Sequence, residues 1–422
     1  MDNIVELTLD KAVSLAPDRS RAPEGPDTTV NLRDRSVFDH QHHSGVYTTE
    51  QVMADEDHLI SRVTATGAPT LAGHPEHVDV LEHWRTDDGH PLSADQMRAS
   101  KHVLSSDAGI SAIIGPAGTG KSTTMGAITD TWHSVHGEHS VIGLAPSAVA
   151  AGVLGDEIGV DTDNVAKWLF ESVGEGAARR AERVANLESR LATLNTTIDG
   201  TPHRDRARLV QQCEAMQAKL AADYATQAQY QFHPNQLIIV DEASMVSTSN
   251  LAELSRQAEA AGAKLLIVGD PAQLEAVDAG GFLGHVERNL DHTTLDTVWR
   301  FKNEWERAVS LKLRSVTDKD GIDAVVDTYD EHDRIHGDPD HEAADTAYSA
   351  WKADRDEGLS SILIASDNET VAELNQRAHT DLVESGDVDI TQQVTLRSEG
   401  DVKASKQHGA RRRAVERMPR WA

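Results

Sequence analysis

The sequence has very little of several features that would define its class at once. Among its 422 residues there is one cysteine, Cys213, so no disulfide can form within the chain. That argues against a disulfide-stabilised secreted domain and is typical of a reducing cytoplasm. No apolar run approaches the ~20 residues of a membrane-spanning helix, and the N-terminus lacks the basic-then-apolar order of a secretory signal. We therefore expect a soluble, cytoplasmic protein without membrane insertion.

Aromatic and basic residues are also scarce. There are five Phe and five Tyr, although 39% of the residues are hydrophobic, which is enough to form real cores. Lys and Arg number 40 against 69 Asp and Glu, and the formal net charge is −29. This balance argues against a broadly basic, DNA-coating surface. It is compatible with a narrow groove that holds a single strand through a few cations and stacking aromatics.

What the sequence does contain is a phosphate-binding loop in "IIGPAGTGKST", residues 113–123. The spacing Gly115-x-x-x-x-Gly120-Lys121-Ser122 is the P-loop pattern, in which glycines let backbone N–H groups surround an anion. Lys121 suits the β- and γ-phosphates, and the Ser122 hydroxyl suits Mg²⁺. A turn that binds nothing is disfavoured by the apolar strand before the loop and the helical pattern after it. We expect a nucleoside triphosphate to be held by Gly115, Pro116, Ala117, Gly118, Thr119, Gly120, Lys121, Ser122 and Thr123.

Two further apolar strands end in side chains that suit phosphate chemistry. "LIIVDEASM" ends in Asp241-Glu242, where the first acid can hold Mg²⁺ and the second can deprotonate an attacking water. This pair favours hydrolysis over simple binding or a kinase-type transfer; the other interpretation is an exposed turn with two acids. "LLIVGDPAQLEAV" places Gln273 shortly after a strand end, where an amide could sense the γ-phosphate.

The chain around these motifs alternates strand and helix patterns. Apolar runs at 140–146, 235–241 and 263–270 predict an α/β fold with a parallel sheet and helices on both faces. Residues 171–231 predict an inserted helical hairpin, either a generic surface insertion or a DNA-guiding element, in which Cys213 is a packing residue. "SSILIAS" predicts a further buried strand that opens a second α/β domain. For the cluster His40, His42 and His43, a solvated loop is favoured over a metal site.

Taken in order, "GPAGTGKST", "VDEAS", "GDPAQL" and "VWRF" resemble the motifs of a superfamily 1 DNA helicase of the RecD-like branch. The chain is more similar still to the helicase part of MobF-type conjugative relaxases, through "YTTEQVMADEDHL", "LSADQMRA", "GLAPSAVAAGVL" and "EWERAVSLKLR". The similarity extends over about residues 46–400. It implies a P-loop NTPase (RecA-like) domain and an incomplete second RecA-like domain. It also implies ATP and Mg²⁺ as cofactors, and single-stranded DNA with relaxosome or conjugation proteins as partners.

The resemblance also implies individual roles. Gln96 would contact the adenine, Lys121 and Ser122 the phosphates and Mg²⁺. Asp241 would bind the metal, and Glu242 would be the base. Gln273 would couple the nucleotide to DNA, and Arg300 would reach the γ-phosphate from the second domain as an arginine finger in cis. On the residues alone, Arg300 lies between aromatics, and a packing or cation–π role is favoured.

We divide the chain into five segments. They are a flexible N-terminal segment (1–45), a helical region (46–90), a P-loop motor domain (91–290), a partial second RecA-like domain (291–400) and a basic tail (401–422). We expect the family's relaxase domain and its C-terminal helicase motifs to be missing, which leaves ATPase activity more secure than unwinding. The alternatives are a non-catalytic, nucleotide-gated DNA- or relaxosome-binding module, or a truncated remnant. A P-loop transferase is disfavoured by Glu242.

Overall fold

The computed structural model describes residues 12–14, 47–74, 76–202, 206–274, 276, 280–336 and 340–386. The chain divides into two compact units, unit 1 (Met1–Ser315) and unit 2 (Val316–Ala422). The histidine cluster at 40–43, the basic tail and most of segment 1–45 lie outside the described residues. The described part of that segment is strand β1 (Ala12–Ser14), which pairs antiparallel with β2 (Tyr47–Thr49) just after the segment.

Unit 1 is built on a six-stranded parallel sheet with the strand order β5-β4-β6-β7-β3-β8. The predicted α/β fold with a parallel sheet is therefore confirmed, and the apolar runs at 140–146, 235–241 and 263–270 contain three of its central strands. Their residues alternate between the two faces, so both faces need a covering layer. The strands are β3 (Ile110–Ile114), β4 (Val141–Ala145), β5 (Thr162–Asn164), β6 (Leu237–Val240), β7 (Lys264–Gly269) and β8 (Thr293–Thr294).

Helices cover both faces of this sheet, as predicted. On one face Ile238 and Val240 pack in a core with residues of the helices Glu50–Thr64 and Thr248–Ala261. On the other face Leu237 and Ile239 pack with residues of the helices Ala94–Ser105 and Lys121–His136. The helices of unit 1 are α1 (Glu50–Thr64), α2 (Glu76–His83), α3 (Ala94–Ser105), α4 (Lys121–His136), α5 (Ala148–Ile158), α6 (Val165–Ser172), α7 (Glu175–Gly200), α8 (Arg206–Gln229), α9 (Thr248–Ala261), α10 (Phe282–Asn289) and α11 (Glu304–Ser315).

The predicted helical hairpin within 171–231 is formed by α7 and α8. An ion pair of 2.7 Å joins Arg183 of the first helix to Asp223 of the second. Cys213 is buried between them, and its thiol donates to the Asn195 side-chain oxygen at 3.3 Å. The predicted packing role of this cysteine is confirmed.

Unit 2 contains three helices in its described residues, α12 (Lys319–Glu331), α13 (Asp340–Asp356) and α14 (Asn368–Ser385). The expectation of a buried strand at "SSILIAS" is wrong. No strand in the described part of unit 2 pairs with this stretch, and Ile362 and Ile364 are 85% and 84% exposed. The second RecA-like domain and the domain boundaries remain predictions, and unit 1 extends past residue 290 to Ser315.

None of the described helices is both long and apolar enough to cross a membrane.

Candidate functional site

A cavity of about 890 Å³ lies at the carboxyl ends of β3, β6 and β7 in unit 1. Loops that follow neighbouring parallel strands meet at this edge of a sheet, which is where α/β proteins bind their ligands. Eleven of the fourteen predicted site residues line the cavity: Pro116, Ala117, Gly118, Gly120, Lys121, Ser122, Thr123, Asp241, Glu242, Gln273 and Arg300.

The phosphate-binding loop depends on two glycines in the left-handed region. Gly118 and Gly120 both have φ near +81°, a conformation that residues with a Cβ rarely adopt. A Cβ at Gly118 would also overlap Arg300, and one at Gly120 would overlap the Gln96 amide. The loop is stabilised from within by Thr119, whose fully buried hydroxyl donates to the Pro116 carbonyl at 2.9 Å.

The residues after the loop open helix α4 towards the cavity. Lys121 is the first residue of the helix, and its ammonium group donates to the Gly115 carbonyl at 3.0 Å. Gly115 does not line the cavity but contributes this carbonyl, and its N–H donates to Gly269 of β7 at 3.1 Å. The free N–H groups at the start of α4 give this wall a positive partial charge.

The opposite charge comes from Asp241 and Glu242, directly after β6. One carboxylate oxygen of each is buried without a hydrogen-bond partner. Burial raises the pKa of Asp241 to about 6, with a further contribution from the Glu242 carboxylate and an opposing one from Lys121. Glu242 has φ +48°, a conformation that costs energy for a residue with a side chain and is enriched at functional sites.

These unpaired oxygens fit a divalent cation. Mg²⁺ prefers oxygen ligands and is commonly held by one or two protein groups together with substrate phosphates. The Ser122 hydroxyl and the Asp241 carboxylate line the same cavity. Among the residues that the structure describes, no group of three or more His, Cys, Asp or Glu side chains could hold a metal by itself. A magnesium site here would therefore depend on phosphate oxygens as well.

Asp270, at the end of β7, connects two side chains at the cavity wall. Its carboxylate accepts from the Gln273 amide at 3.4 Å and forms an ion pair of 2.8 Å with Arg314 of α11. It also accepts from the Ala272 N–H at 3.0 Å. Asp270 is only 4% exposed, so the Gln273 amide is hydrogen-bonded to a buried carboxylate.

Arg300 and Gln96 lie on two sides of the loop. Contrary to the expectation of delivery from a second domain, Arg300 belongs to unit 1, because β8 pairs with β3 and the Trp299 N–H donates to the Gly118 carbonyl at 2.7 Å. Gln96 does not line the cavity. Its side chain accepts from the Ser93 N–H at 2.9 Å and donates to the Gly120 carbonyl at 3.4 Å, so its amide supports the loop.

Sequence reasoning missed three residues at this site. Asp95 accepts from the backbone N–H groups of Asp296 and Thr297, and Arg314 pairs with Asp270. Neither residue carried a signal in the sequence, because its partners lie far away in the chain. Asp270 was visible within "GDPAQL", and its position at a strand end beside Gln273 could have marked it as a contact of that amide.

The parallel sheet and the loop after β3 define a P-loop domain of the RecA-like α/β class. The chain belongs to the AAA domain family, whose sequence profile matches residues 91–340.

Two groups of similar proteins agree with this family. A probable conjugal transfer protein TraA of Sinorhizobium fredii is 27% identical over 88% of this chain, which spans 28% of that protein's length. The RecBCD enzyme subunit RecD of Mycobacterium tuberculosis is 33% identical over 46% of the chain and 28% of that subunit. These similarities confirm the resemblance to RecD-like superfamily 1 helicases and to conjugal transfer proteins. The solved structure of the Pif1 helicase from Candida albicans matches 61% of this chain and 54% of its own chain, at 19% identity and with a TM-score of 0.35.

Proposed function

We propose that this helicase-like chain binds and hydrolyses ATP with Mg²⁺ and couples that reaction to single-stranded DNA, as the motor part of a conjugative relaxase–helicase in the cytoplasm. Relaxosome or conjugation proteins are its proposed partners. The relatives named conjugal transfer protein TraA support a role in conjugal transfer. The RecD relatives support the motor class.

One observation carries the proposal. A single cavity is lined by the phosphate-binding loop, by the Asp241–Glu242 pair, by Gln273 and by Arg300. A protein that only binds nucleotide needs the loop. An acid positioned to activate water and a second cation beside the loop are the additional parts that hydrolysis needs.

The chain's own residues suggest how the reaction would proceed. Lys121 and the N–H groups at the start of α4 would hold the phosphates, and Arg300 would stabilise the charge that grows on the γ-phosphate. Glu242 would accept the proton of the attacking water as the bond to the leaving ADP breaks. Mg²⁺, when bound, would neutralise phosphate charge, with Ser122 and Asp241 as the residues that hold it. Gln96, which does not line the cavity, would act on the nucleotide through its hydrogen bond to the Gly120 carbonyl of the loop.

Support for a DNA partner comes from the surface beside this cavity. Met245 and Leu274 follow β6 and β7 and are 46% and 76% exposed. A smaller cavity of about 190 Å³ lies next to Met245 and includes Pro146 and Val165, and none of the described residues around it is charged. An uncharged surface suits the faces of unpaired bases more than phosphates, which fits a net charge of −29.

The second candidate is a nucleotide-gated binding module without translocation. It is favoured by unit 2, whose described residues form helices and no strand. A motor needs two rigid bodies that close and open with the nucleotide, and a sheet is the usual framework for the second.

The test is steady-state ATP hydrolysis by the full chain at low salt, with and without single-stranded DNA. We expect turnover that DNA stimulates, and we expect Lys121→Ala to lower it by about 100-fold or more because the phosphates lose their main cation. A tenfold salt increase should weaken the stimulation if phosphate contacts contribute.

Binding of a fluorescent ATP analogue is measured on the same samples. Binding without turnover would contradict the ATPase proposal and favour the second candidate. Turnover that survives in Lys121→Ala would place the reaction outside this cavity.

A further inference from the structure

Two segments flank the phosphate-binding loop without belonging to it. One is the first turn of α3, where Gln96 donates to the Gly120 carbonyl. The other is the run from Leu295 to Arg300 after β8, which brings the Arg300 Cβ against Gly118. Both segments contact glycines of the loop that have positive φ. A small displacement of either segment would therefore change the conformation of the loop.

Asp95 joins these two segments directly. One of its carboxylate oxygens accepts from the backbone N–H groups of Asp296 at 3.1 Å and of Thr297 at 3.0 Å. The other accepts from the Ser93 hydroxyl and from the Gln96 N–H. The residue is 6% exposed, so water does not compete freely for these bonds.

The bonds to Asp296 and Thr297 are charge-assisted. Burial alone would raise the pKa of Asp95, but the hydrogen bonds from Ser93 and from the Thr297 and Asp296 N–H groups lower it to about 2. The carboxylate is therefore charged at any ordinary pH, and charged acceptors form the stronger class of hydrogen bond.

Three contacts fix the backbone that leads to Arg300. The Leu295 N–H donates to the Ile114 carbonyl at 2.9 Å, and the Trp299 N–H donates to the Gly118 carbonyl at 2.7 Å. Between these two bonds, Asp95 supplies the anchor for positions 296 and 297. It is the one contact of the three that comes from neither β3 nor the loop.

We propose that Asp95 is a positioning residue that holds Arg300 over the phosphate-binding loop, so that Arg300 acts from the same compact unit as the loop. This inference rests on the proposed ATPase function. It deepens that function by making the arginine a preassembled part of the site and α3 the element that holds it there.

The test compares Asp95→Ala, Asp95→Asn, Arg300→Ala and the double variant Asp95→Ala with Arg300→Ala in the full chain. We expect Asp95→Ala to lower kcat by about 10- to 100-fold, as a misplaced catalytic group does, while the KM for ATP changes by less than about threefold. Asp95→Asn should lose less, because its amide oxygen still accepts from an N–H without the charge. In the Arg300→Ala background, Asp95→Ala should lower kcat no further, because the group that it positions is gone.

Asp55→Ala is the matched control. Asp55 is a comparably buried carboxylate on α1, and its charge partner is Arg256 of α9, far in sequence from the loop. We expect this variant to be less stable than the parent chain with an unchanged kcat. If Asp95→Ala lowered kcat by the same factor in the parent chain and in the Arg300→Ala variant, the positioning role would be overturned.

Amide hydrogen exchange separates this inference from the proposed function. Without nucleotide, Asp95→Ala and Asp95→Asn should speed exchange at Asp296, Thr297 and Trp299 by about tenfold or more, with no change in β3. If the parent chain has no turnover, the ATPase proposal fails and exchange alone decides the positioning. Unchanged exchange at Trp299 would show that Asp95 does not hold the segment.

Discussion

Two apolar stretches of similar composition have opposite surroundings in this protein. In unit 1, "LLIVG" forms β7, and Ile267 is fully buried between β6 and β3. In unit 2, "ILIAS" contains Ile364, which is 84% exposed in a stretch that is not a strand. The difference arises from the neighbours: β7 has a paired strand on each side and a helical layer on each face. No described strand of unit 2 pairs with "ILIAS".

The comparison bears on function because the proposed site belongs to the first kind of region. Asp241 and Asp270 each follow a fully buried central strand, which fixes their position at the sheet edge. Lys121 follows β3 through the loop in the same way. The proposed chemistry thus rests on buried strands that are paired on both sides, as precise positioning of a catalytic group requires.

The largest effect should come from removing the same side chain from both regions. Ile267→Ala should lower the free energy of unfolding of unit 1 by about 2–5 kcal/mol, because it leaves a cavity in a close-packed core. Ile364→Ala should change stability by no more than about 0.5 kcal/mol. Urea unfolding followed by circular dichroism measures both. A loss above about 1 kcal/mol in Ile364→Ala would mean that this side chain is covered in solution, and the contrast between the regions would break down.

A smaller effect should distinguish ion pairs of the two regions. Arg314 neutralises Asp270, which is nearly buried, whereas Lys319 pairs with Asp323 on the surface of α12 at 2.6 Å. Arg314→Ala should cost about 1–3 kcal/mol because it leaves the desolvated Asp270 carboxylate without its cation. Lys319→Ala should cost less than about 1 kcal/mol.

The same pair of variants also sharpens the functional comparison. Arg314→Ala should lower DNA-stimulated ATP turnover. The Asp270 carboxylate, which accepts from the Gln273 amide, then loses the cation that fixes its position. Lys319→Ala serves as the control for the loss of a cation. Equal stability losses in the two variants would show that the Asp270 cluster is no more constrained than the surface of α12.

The sequence was sufficient for the parts of the fold that depend on local pattern. The loop glycines, the start of α4 and the central strands follow from composition and spacing over ten residues or so. Exposure of "ILIAS" could not be predicted, because a pattern does not reveal whether another strand pairs with it. In the sequence Asp95 looks like an ordinary acid in the first turn of a helix. Its role could not be predicted, because its hydrogen bonds to Asp296 and Thr297 connect residues about two hundred positions apart.

The central claim is that unit 1 binds nucleotide between the phosphate-binding loop and the residue 295–300 segment. The most direct measurement is amide hydrogen exchange of the full chain with and without Mg²⁺ and a slowly hydrolysed ATP analogue, with Lys121→Ala as control. We predict slower exchange in residues 117–123 and 296–300, and at Gln273, in the parent chain and no change in Lys121→Ala. Protection that is absent from these residues, or that persists in Lys121→Ala, would contradict the account.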